Sequence, residues 1–116
     1  MGIESKFIWM DGKLVPFDDA KVHVLSHTLH YGLGVFEGIR SYAQPDGGGG
    51  VFKLDEHVRR LTDSAKMCRM AIPYTREQIR QACLETLAAN NMPEAYIRPI
   101  VYFGMGKMGL GARDNP

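Results

Sequence analysis

The sequence predicts an α+β domain: a small two-layer unit, mostly antiparallel sheet, with two main helices packed on one side. Three observations carry this. Runs rich in β-branched and aromatic residues sit at both ends of the chain, FIWM and KLV early and AYIRPIVYF late. Between them, two stretches repeat apolar residues at spacings of three and four. No glycine-rich phosphate loop follows a strand, so a parallel nucleotide-binding layer has no support.

Taken in order, FIWMDGKLV reads as a hairpin, because Asp11-Gly12 suits a two-residue turn with positive φ at both positions. The following stretch, VPFDDAKVHVLSHTLHYGLG, is histidine-rich, less regular and broken by Gly32 and Gly34. VFEGIRSY reads as a strand and VFKL as a second, joined by the loop AQPDGGGG. Leu54, Val58, Leu61, Ala65 and Cys68 form one apolar stripe of a helix, with Asp55 and Glu56 at the positive end of its dipole. After Pro73, Thr75-x-x-Gln78 has the pattern of a capping box, and Ile79, Ala82, Cys83 and Leu87 form a second apolar face ended by Asn90, Asn91 and Pro93. In AYIRPIVYF, alternation puts Tyr96, Arg98, Ile100 and Tyr102 on one face, and Ile97, Val101 and Phe103 on the other. Pro99 lacks a ladder donor, which predicts an edge or a bulge there.

Bulk properties narrow the function classes. The 116 residues are the size of one domain. A net charge of +1 argues against a nucleic-acid stripe or a membrane patch. No apolar run reaches the roughly 18 residues needed to span a bilayer, and the first residues do not read as a secretion signal. Cys68 and Cys83 fall at apolar positions and read as reduced core thiols, which makes a cytoplasmic compartment the default.

Few residues suggest chemistry on their own. Arg98 lies inside a strand among aromatic residues. It needs a partner, either a carboxylate of this chain or the carboxylate of a ligand. Arg40 shares a strand face with Phe36, Gly38 and Tyr42, where a glycine permits close approach to the backbone. His57, Arg60 and Ser64 share one helix flank, which reads as a solvated edge or as a surface facing an anion. His23, His27 and His30 read as structural histidines rather than metal ligands. Glu37 has no visible acid or base partner.

DAKVHVLSHTLHYGLGVFEGIRSY, HVRRLTDSAKM and AYIRPIV resemble the branched-chain amino acid aminotransferases, which are fold-type IV pyridoxal-phosphate enzymes. The similarity runs from near Trp9 to Gly109, and VFEGIR and AYIRP set it apart from D-amino acid aminotransferases and aminodeoxychorismate lyases. The resemblance implies that residues 1–116 form the amino-terminal small domain of such an enzyme. It implies that Arg60 holds the phosphate of pyridoxal 5'-phosphate. Tyr31, Phe36, Gly38 and Leu110 would line the substrate pocket, and Tyr96 and Arg98 would accommodate an acidic substrate.

The family reaction moves an amino group between Leu, Ile or Val and 2-oxoglutarate. The positions of Tyr31 and Leu110 imply a dimer, because the matching residues reach the neighbouring subunit's site. The lysine that forms the Schiff base belongs to a larger second domain, and Lys6, Lys13, Lys21, Lys53, Lys66 and Lys107 do not match its motif. The 116 residues alone are therefore expected to be inactive and to lose the cofactor, with no catalytic residue of their own. The alternatives are a non-catalytic binding or dimerisation module that reuses the domain, or another fold-type IV enzyme, a D-amino acid aminotransferase or an aminodeoxychorismate lyase.

Overall fold

The structure is a computed structural model that describes residues 5–45 and 49–104. Strands β1 (Phe7–Met10) and β2 (Lys13–Pro16) pair antiparallel. Asp11 and Gly12 both have positive φ, 52° and 94°, as the expected turn requires. The hairpin is fastened to the rest of the fold at two places. Trp9 meets Tyr74 edge-on with ring centroids 5.2 Å apart. The buried Asn90 amide accepts from the Lys6 and Phe7 backbone N–H groups, at 2.6 and 2.9 Å, and donates to the Phe7 carbonyl at 2.9 Å.

The central sheet is a ladder between two long extended segments. Strands β3 (Gly34–Phe36) and β4 (Ile39–Ala43) come from the first; strands β6 (Ala95–Ile97) and β7 (Ile100–Tyr102) come from the second. β3 pairs with β7 and β4 with β6, both antiparallel. One register runs through both halves, from Gly34 opposite Tyr102 to Ser41 opposite Ala95. The interruption therefore has a local cause. Glu37 donates its backbone N–H to the Pro99 carbonyl at 3.2 Å, and Pro99 has no N–H to return. The expected single strands over VFEGIRSY and AYIRPIVYF are thus each split in two at the same rung.

The second expectation to change concerns VFKL. Strand β5 is Gly49–Val51, pairing with β4, and Leu54 already opens a helix. Two of the four glycines assigned to the loop belong to this strand, so the turn of the hairpin is shorter than expected. The irregular stretch before β3 also holds a short helix, α1 (His27–Tyr31), preceded by a single 3-10 turn at Phe17–Asp19.

Helices α2 (Leu54–Met67) and α3 (Arg76–Ala89) cover one face of the ladder. The α2 stripe Leu54, Val58, Leu61 and Ala65 is buried, as are Ile79, Ala82 and Cys83 of α3. Leu54, Val58, Leu61, Ile79 and Cys83 meet Ile39, which is fully buried, with Val35, Ile97 and Val101 around them. The Thr75 hydroxyl accepts from Gln78 N–H, and the Gln78 side chain accepts from Thr75 N–H, completing the expected capping box.

Both helices end alike. Past α2, Met70 N–H reaches the Ala65 carbonyl and Arg69 N–H the Lys66 carbonyl; past α3, Met92 reaches Leu87 and Asn91 reaches Ala88. Arg69 and Asn91 take the left-handed position, with φ of 57° and 52°. Cys68 lies just past α2 and is partly exposed, whereas burial pushes the Cys83 thiol up to about 11. Both thiols are free. Among the described residues, no helix is long and apolar enough to cross a membrane.

Candidate functional site

Alternation along the ladder decides which side chains reach the uncovered face. Val35, Glu37, Ile39 and Ser41 point toward the helices; Phe36, Arg40 and Tyr42 point away and are exposed. On the partner segment, Tyr96, Arg98 and Ile100 are the exposed set, and the alternation continues unbroken through Pro99. Register then brings the two sets together, because Arg40 faces Tyr96 directly.

Five residues singled out in the sequence meet on this open face. The Arg98 guanidinium carbon lies 4.4 Å from the centre of the Phe36 ring and 5.4 Å from that of Tyr96. Arg98 also donates to the Tyr96 hydroxyl at 3.1 Å. Gly38 makes room for this arrangement, since a Cβ there would collide with the Tyr96 hydroxyl. Arg40 also lies near the Tyr96 ring, 5.7 Å from its centre. Among the described residues, no acidic side chain forms an ion pair with Arg98. Of the two partners open to it in the sequence, an internal carboxylate is not in place among the described residues. The face presents a planar cation held on aromatic rings, with its donors available to a carboxylate.

Arg60 sits elsewhere, on the flank of α2 that carries His57. Its Nε donates to Glu37 Oε2 at 2.8 Å and its Nη2 to Oε1 at 2.7 Å, a two-pronged pair. His57 Nδ1 lies 2.9 Å from the same Oε1. A carboxylate can only accept, so Nδ1 carries the proton. The expectation that Glu37 has no partner is therefore wrong. Alternation aims it inward, and α2 meets it there with a histidine and an arginine one turn apart. That signal was present in the sequence as a lone acid at an inward strand position.

The Arg60 guanidinium beside Glu37 holds its carboxyl below the ordinary carboxylate range, against the opposing effect of burial, with His57 adding to the lowering. Hydrogen bonding to Glu37 likewise raises Arg60. Only two of the five guanidinium N–H groups are engaged by Glu37, and the Arg60 side chain remains 67% exposed. That donor set, a fixed arginine with three outward N–H groups, fits a phosphate.

Tyr31 stands at the end of α1, half exposed, with its ring against His27 (centroids 4.6 Å apart) and His30 (6.5 Å). None of its ring contacts joins it to Phe36 or Arg98. α1 itself is docked beyond β7: His27 N–H reaches the Gly104 carbonyl, Thr28 N–H the Phe103 carbonyl, and the Thr28 hydroxyl accepts from Phe103 N–H at 2.7 Å. The three histidines of this region have separate partners. His23 accepts from Leu25 N–H, His30 bonds the Val24 carbonyl, and His27 is buried between Tyr31 and Phe103. Leu110 and Lys107 lie outside the described residues. Two concave clefts of the described surface lie away from this face. One, around Asp55, Arg59, Arg76 and Arg80, already has Arg80 paired with Asp55 and Arg76 with Asp63.

Known proteins share this fold. Residues 34–116 match the family model of amino-transferase class IV. The chain is 51% identical over 105 residues to the branched-chain-amino-acid aminotransferase of Pseudomonas aeruginosa, covering 90% of this chain and 34% of that protein. The branched-chain amino acid aminotransferase of T.th., solved in complex with N-(5'-phosphopyridoxyl)-L-glutamate, superposes with a TM-score of 0.93 at 43% identity, over 98% of this chain and 38% of that one. The enzyme from Thermoproteus uzoniensis, solved with norvaline, gives 0.89 at 42% identity, over 97% and 38%. The chain thus spans about a third of the length of its relatives. The match over residues 34–116 shows that this chain belongs to the class IV amino-transferase family.

Proposed function

We propose that this chain is the small domain of a pyridoxal-phosphate-dependent aminotransferase that exchanges amino groups between branched-chain L-amino acids and 2-oxoglutarate. The observation that supports it most is the open face itself, where Arg98 rests on Phe36 and bonds Tyr96 above Gly38. Such a face suits both substrate classes. Phe36 and Gly38 offer an apolar wall to a branched side chain, and Tyr31 of α1 joins the wall of the neighbouring subunit's site. Arg98 binds the distal carboxylate of an acidic substrate, and Tyr96 keeps its guanidinium in place. Leu110 completes the wall in this reading. Arg60 holds the cofactor phosphate through its outward N–H groups. The bound cofactor supplies the electron-withdrawing ring that lets the amino group change carbon skeletons.

The covalent lysine belongs, in this reading, to a larger second domain, so residues 1–116 alone neither turn over nor retain the cofactor. The enzyme works as a dimer in the cytoplasm, with Tyr31 and Leu110 reaching the neighbouring site. Replacing Arg98 by Ala in the full-length enzyme tests the substrate assignment. Use of 2-oxoglutarate falls by more than use of leucine, because only the acid loses a carboxylate partner. Equal losses would remove the assignment.

A further inference from the structure

We propose that Glu37 is a positioning residue that fixes the Arg60 guanidinium for anion capture, with His57 holding Glu37 in turn. The proposal rests on Arg60 being the phosphate anchor. Three observations point to it. First, the pair is two-pronged and uses the Nε–Nη2 edge of Arg60, so the ring of outward donors has one orientation rather than many. Second, Glu37 is itself held from several sides. Its side chain is 6% exposed, His57 supplies a third hydrogen bond, and its backbone N–H is tied to the Pro99 carbonyl at the ladder break. Third, stability does not explain a carboxylate at this position. Its inward neighbours on the strand, Val35 and Ile39, are apolar, and a buried ion pair is commonly no more stabilising than apolar residues of similar volume.

Charge and geometry make opposite predictions here. Glu37 carries negative charge and so weakens the attraction of Arg60 for any anion. Removing that charge would strengthen anion binding if charge alone mattered. Positioning requires the reverse, because an arginine on an open helix flank must otherwise give up its rotamer freedom on binding.

The test uses the full-length apoenzyme and two probes, pyridoxal phosphate and pyridoxal, which lacks the phosphate. Dissociation constants are read by absorbance titration. Glu37→Gln weakens pyridoxal phosphate by about tenfold and pyridoxal by less than about twofold. Arg60→Gln weakens pyridoxal phosphate at least as much, and adding Glu37→Gln to it costs little more. His57→Ala shifts the same ratio by about threefold and serves as the reading if Glu37→Gln does not fold. An unchanged ratio, or tighter binding of pyridoxal phosphate, in the Glu37 and His57 variants overturns the positioning role while leaving Arg60 as the anchor. An unchanged ratio in Arg60→Gln overturns the anchor itself and the proposal with it.

Discussion

The two faces of the central ladder are built from alternate residues of the same strands, yet they have little else in common. On the covered face, Ile39 and Ser41 are fully buried, and the Ser41 hydroxyl donates to the Pro93 carbonyl at 2.7 Å. On the open face, Phe36, Tyr96 and Ile100 are 61%, 53% and 59% exposed. An apolar group left in water contributes nothing to folding, and aromatic side chains are large ones to leave there. The covered face therefore carries stability, and the open face carries recognition in the function proposed above. An exposed row of aromatics gripping an arginine is the mark of a surface completed by something else.

Substitutions across the strand test that division, here taken in the full-length protein. Ile39→Ala should have the largest effect, a loss of about 2–5 kcal/mol by denaturant unfolding, because the cavity is walled by two helices. Gly38→Ala should come next, and through function: the new Cβ displaces the Tyr96 hydroxyl, so kcat/KM for 2-oxoglutarate falls about tenfold or more while unfolding changes by under about 1 kcal/mol. A large stability loss there instead would mean that the open face is also structural. Ser41→Ala should cost about 1–2 kcal/mol by leaving the Pro93 carbonyl unpaired, with substrate constants unchanged. Phe36→Ala should cost under about 1 kcal/mol in stability, the smallest effect, yet weaken leucine binding.

Acid sharpens the same contrast, since Glu37 is the one acid on the inward row of β3 and β4. Its folded carboxyl lies below the ordinary value of 4.5, chiefly through Arg60. The stability it contributes is complete above the ordinary carboxylate range and is lost as pH falls through the lowered folded value. The stability gap between the parent and Glu37→Gln should therefore be constant near neutrality and close as pH falls below the ordinary value of 4.5. A gap that persists unchanged in stronger acid would argue that the carboxylate is not ionised in the fold.

Much of this was legible in the sequence because it is local. The hairpin at Asp11-Gly12, the capping box at Thr75 and Gln78 and the stripe of α2 each depend on residues within a turn or two of one another. The grouping of Phe36 with Gly38, and of Tyr96 with Arg98, also followed from alternation alone. What could not be read depends on pairing between distant segments. The Glu37 grip joins positions 20 and 23 residues apart, and the Asn90 staple to Phe7 spans 83. The split in β3–β4 is caused by a proline on another strand, so nothing in VFEGIRSY announces it. α1, at five residues, is too short for a periodic pattern to stand out.

The spacing of Phe36 and Glu37 also limits how this domain can change. They are neighbours in sequence that point to opposite sides, one to the aromatic wall and the other to Arg60. The strand behaves as a ruler with a two-residue pitch: sliding it by one residue would exchange the two sides together. Specificity on the open side can drift by swapping side chains, but no insertion or deletion within these strands can retune the wall without also releasing the arginine behind it.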